Sequence, residues 1–177
     1  MRFRVFTALA VSLLLVSSAS CIPKTSEPGP LAEFVTNPTT PIFINPRTRH
    51  VLQGGEFGFN IEVMPAGWGV SAGEVTLSYD SNAFELLEVR RGDLLGTDAL
   101  VGVEKIDRKS GTITYALARA GATVAPGRRG VLATVILRVK VSAKGSFRAE
   151  IVKAGLANEK FEDIKGLRVQ GATIIVD

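Results

Sequence analysis

The chain has 177 residues, 46% of them hydrophobic and 21% charged, with 18 glycines and 8 prolines, which is a globular composition and neither a disordered nor a fibrous one. A single cysteine, Cys21, and a single histidine, His50, exclude an internal disulfide and a Cys/His zinc site. The formal charge falls from +4 to +2 without Arg2 and Arg4, which lie in a segment read below as removed, and this interspersed balance gives no argument for nucleic acid.

The first element, residues 1–20, has the order of an export signal. Arg2 and Arg4 open it, Val5–Val16 is apolar apart from Thr7 and Ser12, and small residues follow up to Cys21. The apolar stretch falls short of the ~20 residues that a stable membrane-spanning helix needs, so cleavage is expected. The run from Val16 through Ser18, Ala19 and Ser20 to Cys21 resembles a bacterial lipoprotein box, although Ser18 stands where that family usually has Leu. The resemblance implies lipid attachment at Cys21, an exported protein anchored to the outer face of a membrane of the cell envelope, and contact with the membrane through the lipid alone. The other reading is ordinary cleavage near Ala19 and a secreted product. Residues 21–41 hold Pro23, Pro28, Pro30, Pro38 and Pro41 in a polar context, the composition of an extended, semi-rigid tether.

From residue 42 to 177 the hydrophobic period is two. Phe57, Phe59, Ile61 and Val63 share a phase, as do Val75, Leu77 and Tyr79, then Ile113, Tyr115 and Leu117. Val131 to Val141 alternates as one long strand, Phe147–Ile151 as another, and the chain ends on Ala172–Val176. Ile42–Ile44, Phe84–Arg90 and Leu100–Ile106 read as weaker strands, and Asn82–Leu87 and Asn158–Lys165 as a helical turn and a short helix. Turn signals separate them at Gly54-Gly55, Pro65–Gly67, Asp80–Asn82, Lys109–Gly111, Pro126-Gly127, Lys144-Gly145 and Gly171. The expectation is an all-β, two-layer antiparallel sandwich.

Chemistry is sparse. The lone histidine near the start of the domain offers no nucleophile–base pair. Gly54–Gly58 precedes a strand, so it reads as a turn and not a phosphate loop. Asp80-Ser81-Asn82 lacks the glycine and distal glutamate of an EF-hand and reads as an Asx turn. Glu74, Glu85 and Glu88 are the carboxylates that could pair for glycoside hydrolysis, but alternation sends Glu74 outward, and surface positions are expected. No enzyme activity, metal or cofactor is expected.

The run Ala72–Val89 with Arg91–Leu94, then Gly111–Ala118, Gly130–Val135, Gly155–Asn158 and Gly171–Val176, taken in order, resembles the cohesin family over residues 42–177. That resemblance implies a jelly roll of about nine strands, akin to some carbohydrate-binding modules, whose partner is dockerin, a small helical module that carries its own calcium. In the family the third, fifth, sixth and eighth strands build the face that takes the dockerin. Alternation turns Ala72, Glu74, Thr76, Ser78, Thr112, Thr114 and Ala116 outward on two of these strands, a face short of charge and of large aromatics. The best-known cohesins open the third strand with Asn-x-Asp; Ala72 and Glu74 stand there in this chain, which implies a divergent specificity. The expected partner is thus a dockerin-bearing or other exported protein, acting in polysaccharide degradation. Two other readings stay open: a carbohydrate-binding module of the same fold, with a polysaccharide ligand, and a structural envelope lipoprotein. Against the first, Trp68 is the single tryptophan, and Tyr79 and Tyr115 fall on the inward phase.

Overall fold

The structure, a computed structural model, describes residues 39–121 and 124–177. The expected signal, Cys21 and nearly all of the proline-rich tether lie outside them. Among the described residues there are eleven strands and no helix. They are β1 (Thr40–Asn45), β2 (Thr48–Val51), β3 (Glu56–Val63), β4 (Ala72–Ser78), β5 (Phe84–Arg91), β6 (Leu100–Asp107), β7 (Thr112–Ala118), β8 (Gly130–Val139), β9 (Gly145–Ala157), β10 (Leu167–Gln170) and β11 (Ala172–Val176). One sheet runs β10-β1-β3-β8-β5 and the other β2-β11-β9-β4-β7-β6. The two-layer sandwich read from the alternation is therefore present.

Its core is built from the phases the sequence displays. Phe57, Phe59, Ile61 and Val63 face Val75, Leu77, Ile113, Tyr115 and Leu117 from the opposite layer, and all are buried. Phe84 of one sheet meets Phe147 of the other edge-on at 5.2 Å between centroids, and Phe57 packs on Phe84 at 5.7 Å, geometries that suit the ring quadrupoles. Burial raises the phenol pKa of both Tyr79 and Tyr115, because the charged form would lose its hydration.

Several boundaries differ from the periodicity, each for a local reason. Two pairs are parallel, β1 with β10 and β2 with β11. The chain passes from the five-stranded to the six-stranded sheet after β1 and again at Gly171 after β10, and the two crossings run side by side. A Cβ at Gly171 would stand 2.5 Å from the Ala149 carbonyl oxygen, so the crossing there admits only glycine. β8 ends at Val139, and Val141 is 78% exposed rather than inward. At the other end of β8 a bulge sends both Leu132 and Ala133 into the core.

Neither expected helical piece forms as such. A single turn over Asp80–Phe84 leads into β5, and Phe84 and Leu86 alternate inward as strand residues. Asn158 starts a reversal instead of a helix: its Oδ1 accepts the amides of Lys160 and Glu162 at 2.8 and 3.0 Å. Phe161 has φ +59, which no helix contains. The chain then folds back, Asp163 bridges Ala157, the Ile164 amide donates to the Leu156 carbonyl at 2.9 Å, and Ile164 enters the core. Asp80 and Gly54-Gly55 behave as expected: Asp80 Oδ1 accepts the Asn82 amide at 2.8 Å, and the glycines turn the chain from β2 into β3.

Candidate functional site: the outer face of the six-stranded sheet

The three candidate carboxylates divide between the two sheets. Glu74 lies on β4 in one sheet, whereas Glu85 and Glu88 lie on β5 in the other, and each is tied to a cation. Lys153 Nζ donates to Glu74 at 2.8 Å, Arg138 bridges Glu85 and Glu56, and Arg90 Nε donates to Glu88 at 2.8 Å. The last pair lowers the Glu88 pKa, chiefly through that hydrogen bond. Glu74 is thus kept from the other two by the thickness of the sandwich, whereas Glu85 and Glu88 share the outer face of β5, opposite Arg138 and Ile136, each already paired with an arginine. Of the aromatics weighed for a sugar-binding strip, Trp68 is 43% exposed, whereas Tyr79 and Tyr115 are buried in the core.

The seven outward residues expected on two strands do share one surface. β4 and β7 are adjacent and antiparallel, and their register sets Ala72 opposite Ala118, Glu74 opposite Ala116, Thr76 opposite Thr114, and Ser78 opposite Thr112. All are half-buried. The Thr76 and Thr114 hydroxyls bond each other at 3.1 Å at the middle of the face.

The neighbouring strands, on which sequence reading named no outward residues, widen it into four rows. β9 contributes Ala157, Gly155, Lys153 and Glu150, and β6 contributes Leu100, Val103, Lys105 and Asp107. Bulges at Val152 in β9 and Gly102 in β6 break the strict alternation that would have revealed them. Apart from Glu74, the first two rows are small or apolar. They form a shallow groove of about 390 Å3, with Ala72, Glu74, Ala116, Gly155 and Ala157 in its lining and Asp163 at its rim. A Cβ added at Gly155 would meet no atom within 4 Å, so the missing side chain is part of what keeps the groove open. The third row, Lys153-Thr76-Thr114-Lys105, and the fourth, Glu150-Ser78-Thr112-Asp107, are polar. An apolar depression beside a row of hydrogen-bonding groups is the anatomy of a protein-binding patch. The four rows together are long enough for two turns of helix.

The cohesin domain family model matches residues 53–169, from the turn before β3 into β10. The chain belongs to the cohesin domain family. The match leaves β1, β2 and β11 outside it, yet these strands complete both sheets of the cohesin sandwich. Among solved structures, the chain is similar to the seventh ScaB type I cohesin of Pseudobacteroides cellulosolvens, at 21% identity and a TM-score of 0.67, covering 78% of this chain and 92% of that one. It is similar to a non-cellulosomal cohesin of the archaeon Archaeoglobus fulgidus, at 17% identity and a TM-score of 0.64, covering 78% and 91%. A third, the OlpA cohesin of Clostridium thermocellum, solved as a type I cohesin–dockerin complex, shares 16% identity with a TM-score of 0.67, covering 78% and 99%. Likeness at such identity establishes the fold. No curated protein matches the chain.

Proposed function

We propose that this cohesin domain is a non-catalytic capture module that takes a dockerin-type helical module on the outer face of β9-β4-β7-β6. The observation that carries the reading is the groove of small residues beside the Thr76–Thr114 hydroxyl pair. A helix can press its backbone close to Ala72, Ala116 and Gly155 and find two hydroxyls for register. The membership in the cohesin family and the cohesin–dockerin complex of a structural relative support the choice of partner. In this reading Ala72, Glu74, Thr76, Ser78, Thr112, Thr114 and Ala116 form the contact, and calcium belongs to the partner, so chelation weakens the complex without unfolding this domain. The lipoprotein-like box at Cys21 and the prolines after it support an anchor on the envelope that holds the module clear of the membrane, in the service of polysaccharide breakdown by enzymes carrying the partner module.

Calorimetry against calcium-loaded dockerin modules encoded by the source organism tests the reading, alongside affinity electrophoresis in cellulose, xylan and chitin. Dockerin binding without retardation by sugar is expected. Retardation by a polysaccharide with no dockerin binding would assign the face to sugar. Neither signal would leave a structural envelope role and overturn the capture reading.

A further inference from the structure

The charges around the groove are committed unequally, and this bears on the partner's own sequence. On the β9 flank, Glu74 neutralises Lys153, and Arg148 sits 3.1 Å from Glu150. On the β6 flank, Asp107 is held by the turn that follows it: its Oδ1 accepts the amides of Lys109 and Ser110 at 3.0 and 3.1 Å. Lys105 has no hydrogen bond or ion pair among the described residues, and it stands in the same row as the Thr76–Thr114 pair. The face thus carries, among the described residues, one lysine without a hydrogen-bonded or ion-paired partner, on one side only; the nearest opposite charge acting on it is Asp107, two residues along β6, whose carboxylate is taken up by the turn amides.

Resting on the docking reading above, we infer that the partner helix is identified by a carboxylate set against Lys105, three or four residues along from an apolar side chain seated in the groove. The spacing follows from the register. Lys105 lies opposite Thr114, and the groove centres on the Glu74–Ala116 row, two positions along the strands, which is about 7 Å. Three or four residues of α-helix rise about 4.5–6 Å and return to neighbouring sides of the same face. From β9 to β6 the face is about 14 Å across, and a helix about 10 Å wide lying over β4 and β7 brings its side chains to the flanking strands. The β9 flank, already neutral, accepts an uncharged residue. This asymmetry makes Lys105 a specificity-determining residue: it selects which partner helix docks and which of its edges turns toward β6. The unpaired ammonium also draws an acidic helix in from solution, so association is sensitive to salt.

The probe is a calcium-loaded dockerin module displayed on yeast, with the exposed face of its helices randomised. The baits are the full chain in detergent and its Lys105→Glu variant, an exposed change that leaves the core untouched. The wild type is expected to enrich Asp or Glu three or four residues from an apolar position, and Lys105→Glu to enrich Lys or Arg at that same place. A module selected on the wild type should lose about tenfold in affinity toward Lys105→Glu and about threefold toward Lys105→Ala, with the difference shrinking in high salt. If both baits enrich the same residues, or the wild type enriches neutral or basic ones, the inference is overturned while docking itself stands. If the wild type retains no member of the library, the docking reading falls and takes this inference with it.

Discussion

A bulky neutral side chain at position 116 should separate binding from folding. Ala116 points outward from β7, between Glu74 on β4 and Val103 on β6, and it helps to line the groove of about 390 Å3. Ala116→Trp would fill that depression without touching the inward row of Ile113, Tyr115 and Leu117. An apolar anchor of Leu size, seated there by a partner helix, contributes about 1.5–3 kcal/mol from area removed from water. Losing that anchor should weaken the complex about ten- to hundredfold, with more lost where the indole holds the helix off the threonine hydroxyls. The fold should hardly notice, since aromatic residues suit a half-covered strand surface, and the change in stability should stay within about 0.5 kcal/mol. Calorimetry with a calcium-loaded dockerin gives the first quantity and thermal melting the second. Unchanged affinity with an unchanged melting temperature would refute the groove as the docking site. A collapsed melting temperature would refute the outward placement of Ala116.

Leu77→Ala should cost about 2–5 kcal/mol, since Leu77 is completely buried between the sheets, whereas Thr76→Ala should cost about 1 kcal/mol for its bond to Thr114; denaturant titration that finds equal costs would contradict the assigned phase. On the outer face of the other sheet, Glu62 is nearly buried beneath Arg129, whose guanidinium also lies 5.0 Å from the Phe43 ring. Arg129→Ala leaves that carboxylate its bond from Asn45 Nδ2 at 2.6 Å but no counter-charge and should cost about 2–4 kcal/mol, more than Glu62→Gln at about 1 kcal/mol, and the reverse order in chemical denaturation would show that the carboxylate is not held by the arginine. Backbone and side-chain hydrogen bonds from Ser110, then the Lys109 amide, lower the Asp107 pKa, so its contribution is fully present above the ordinary aspartate range and is lost as pH falls through the lowered value. Asp107→Asn should therefore flatten part of the loss of stability below about pH 4, and an unchanged acid limb in melting experiments would refute that assignment. Finally, Cys21→Ala should abolish fatty-acid labelling and release the protein in soluble form; persistent labelling would rule out Cys21 as the attachment point.

Periodicity alone determined the fold class and the inward residues of its most regular strands. Where a strand has one face in the core and one in water, a period of two is imposed on the sequence, and Val75, Leu77, Ile113, Tyr115 and Leu117 obey it without exception. The same alternation turned Ala72, Glu74, Thr76, Ser78, Thr112, Thr114 and Ala116 outward, and the resemblance to cohesins put them on one binding surface. That these two strands are neighbours in register, with Thr76 opposite Thr114, was decided by pairing between segments 38 residues apart, to which local alternation is blind. The remaining half of the face was hidden for a related reason. The bulges at Val152 and Gly102 shift the phase within β9 and β6, so Lys153, Gly155, Val103 and Lys105 could not be assigned an outward direction from spacing. The parallel pairs of β1 with β10 and β2 with β11 join chain ends more than 100 residues apart, through strands of 4–6 residues too short to show a period. Asn158–Lys165 has the composition of a short helix, and only the core's demand for Ile164, met by pairing back onto β9, turns it into a reversal. Tertiary structure also fixed the charge pattern of the site, since which lysine is neutralised depends on which carboxylate lies across the sheet from it.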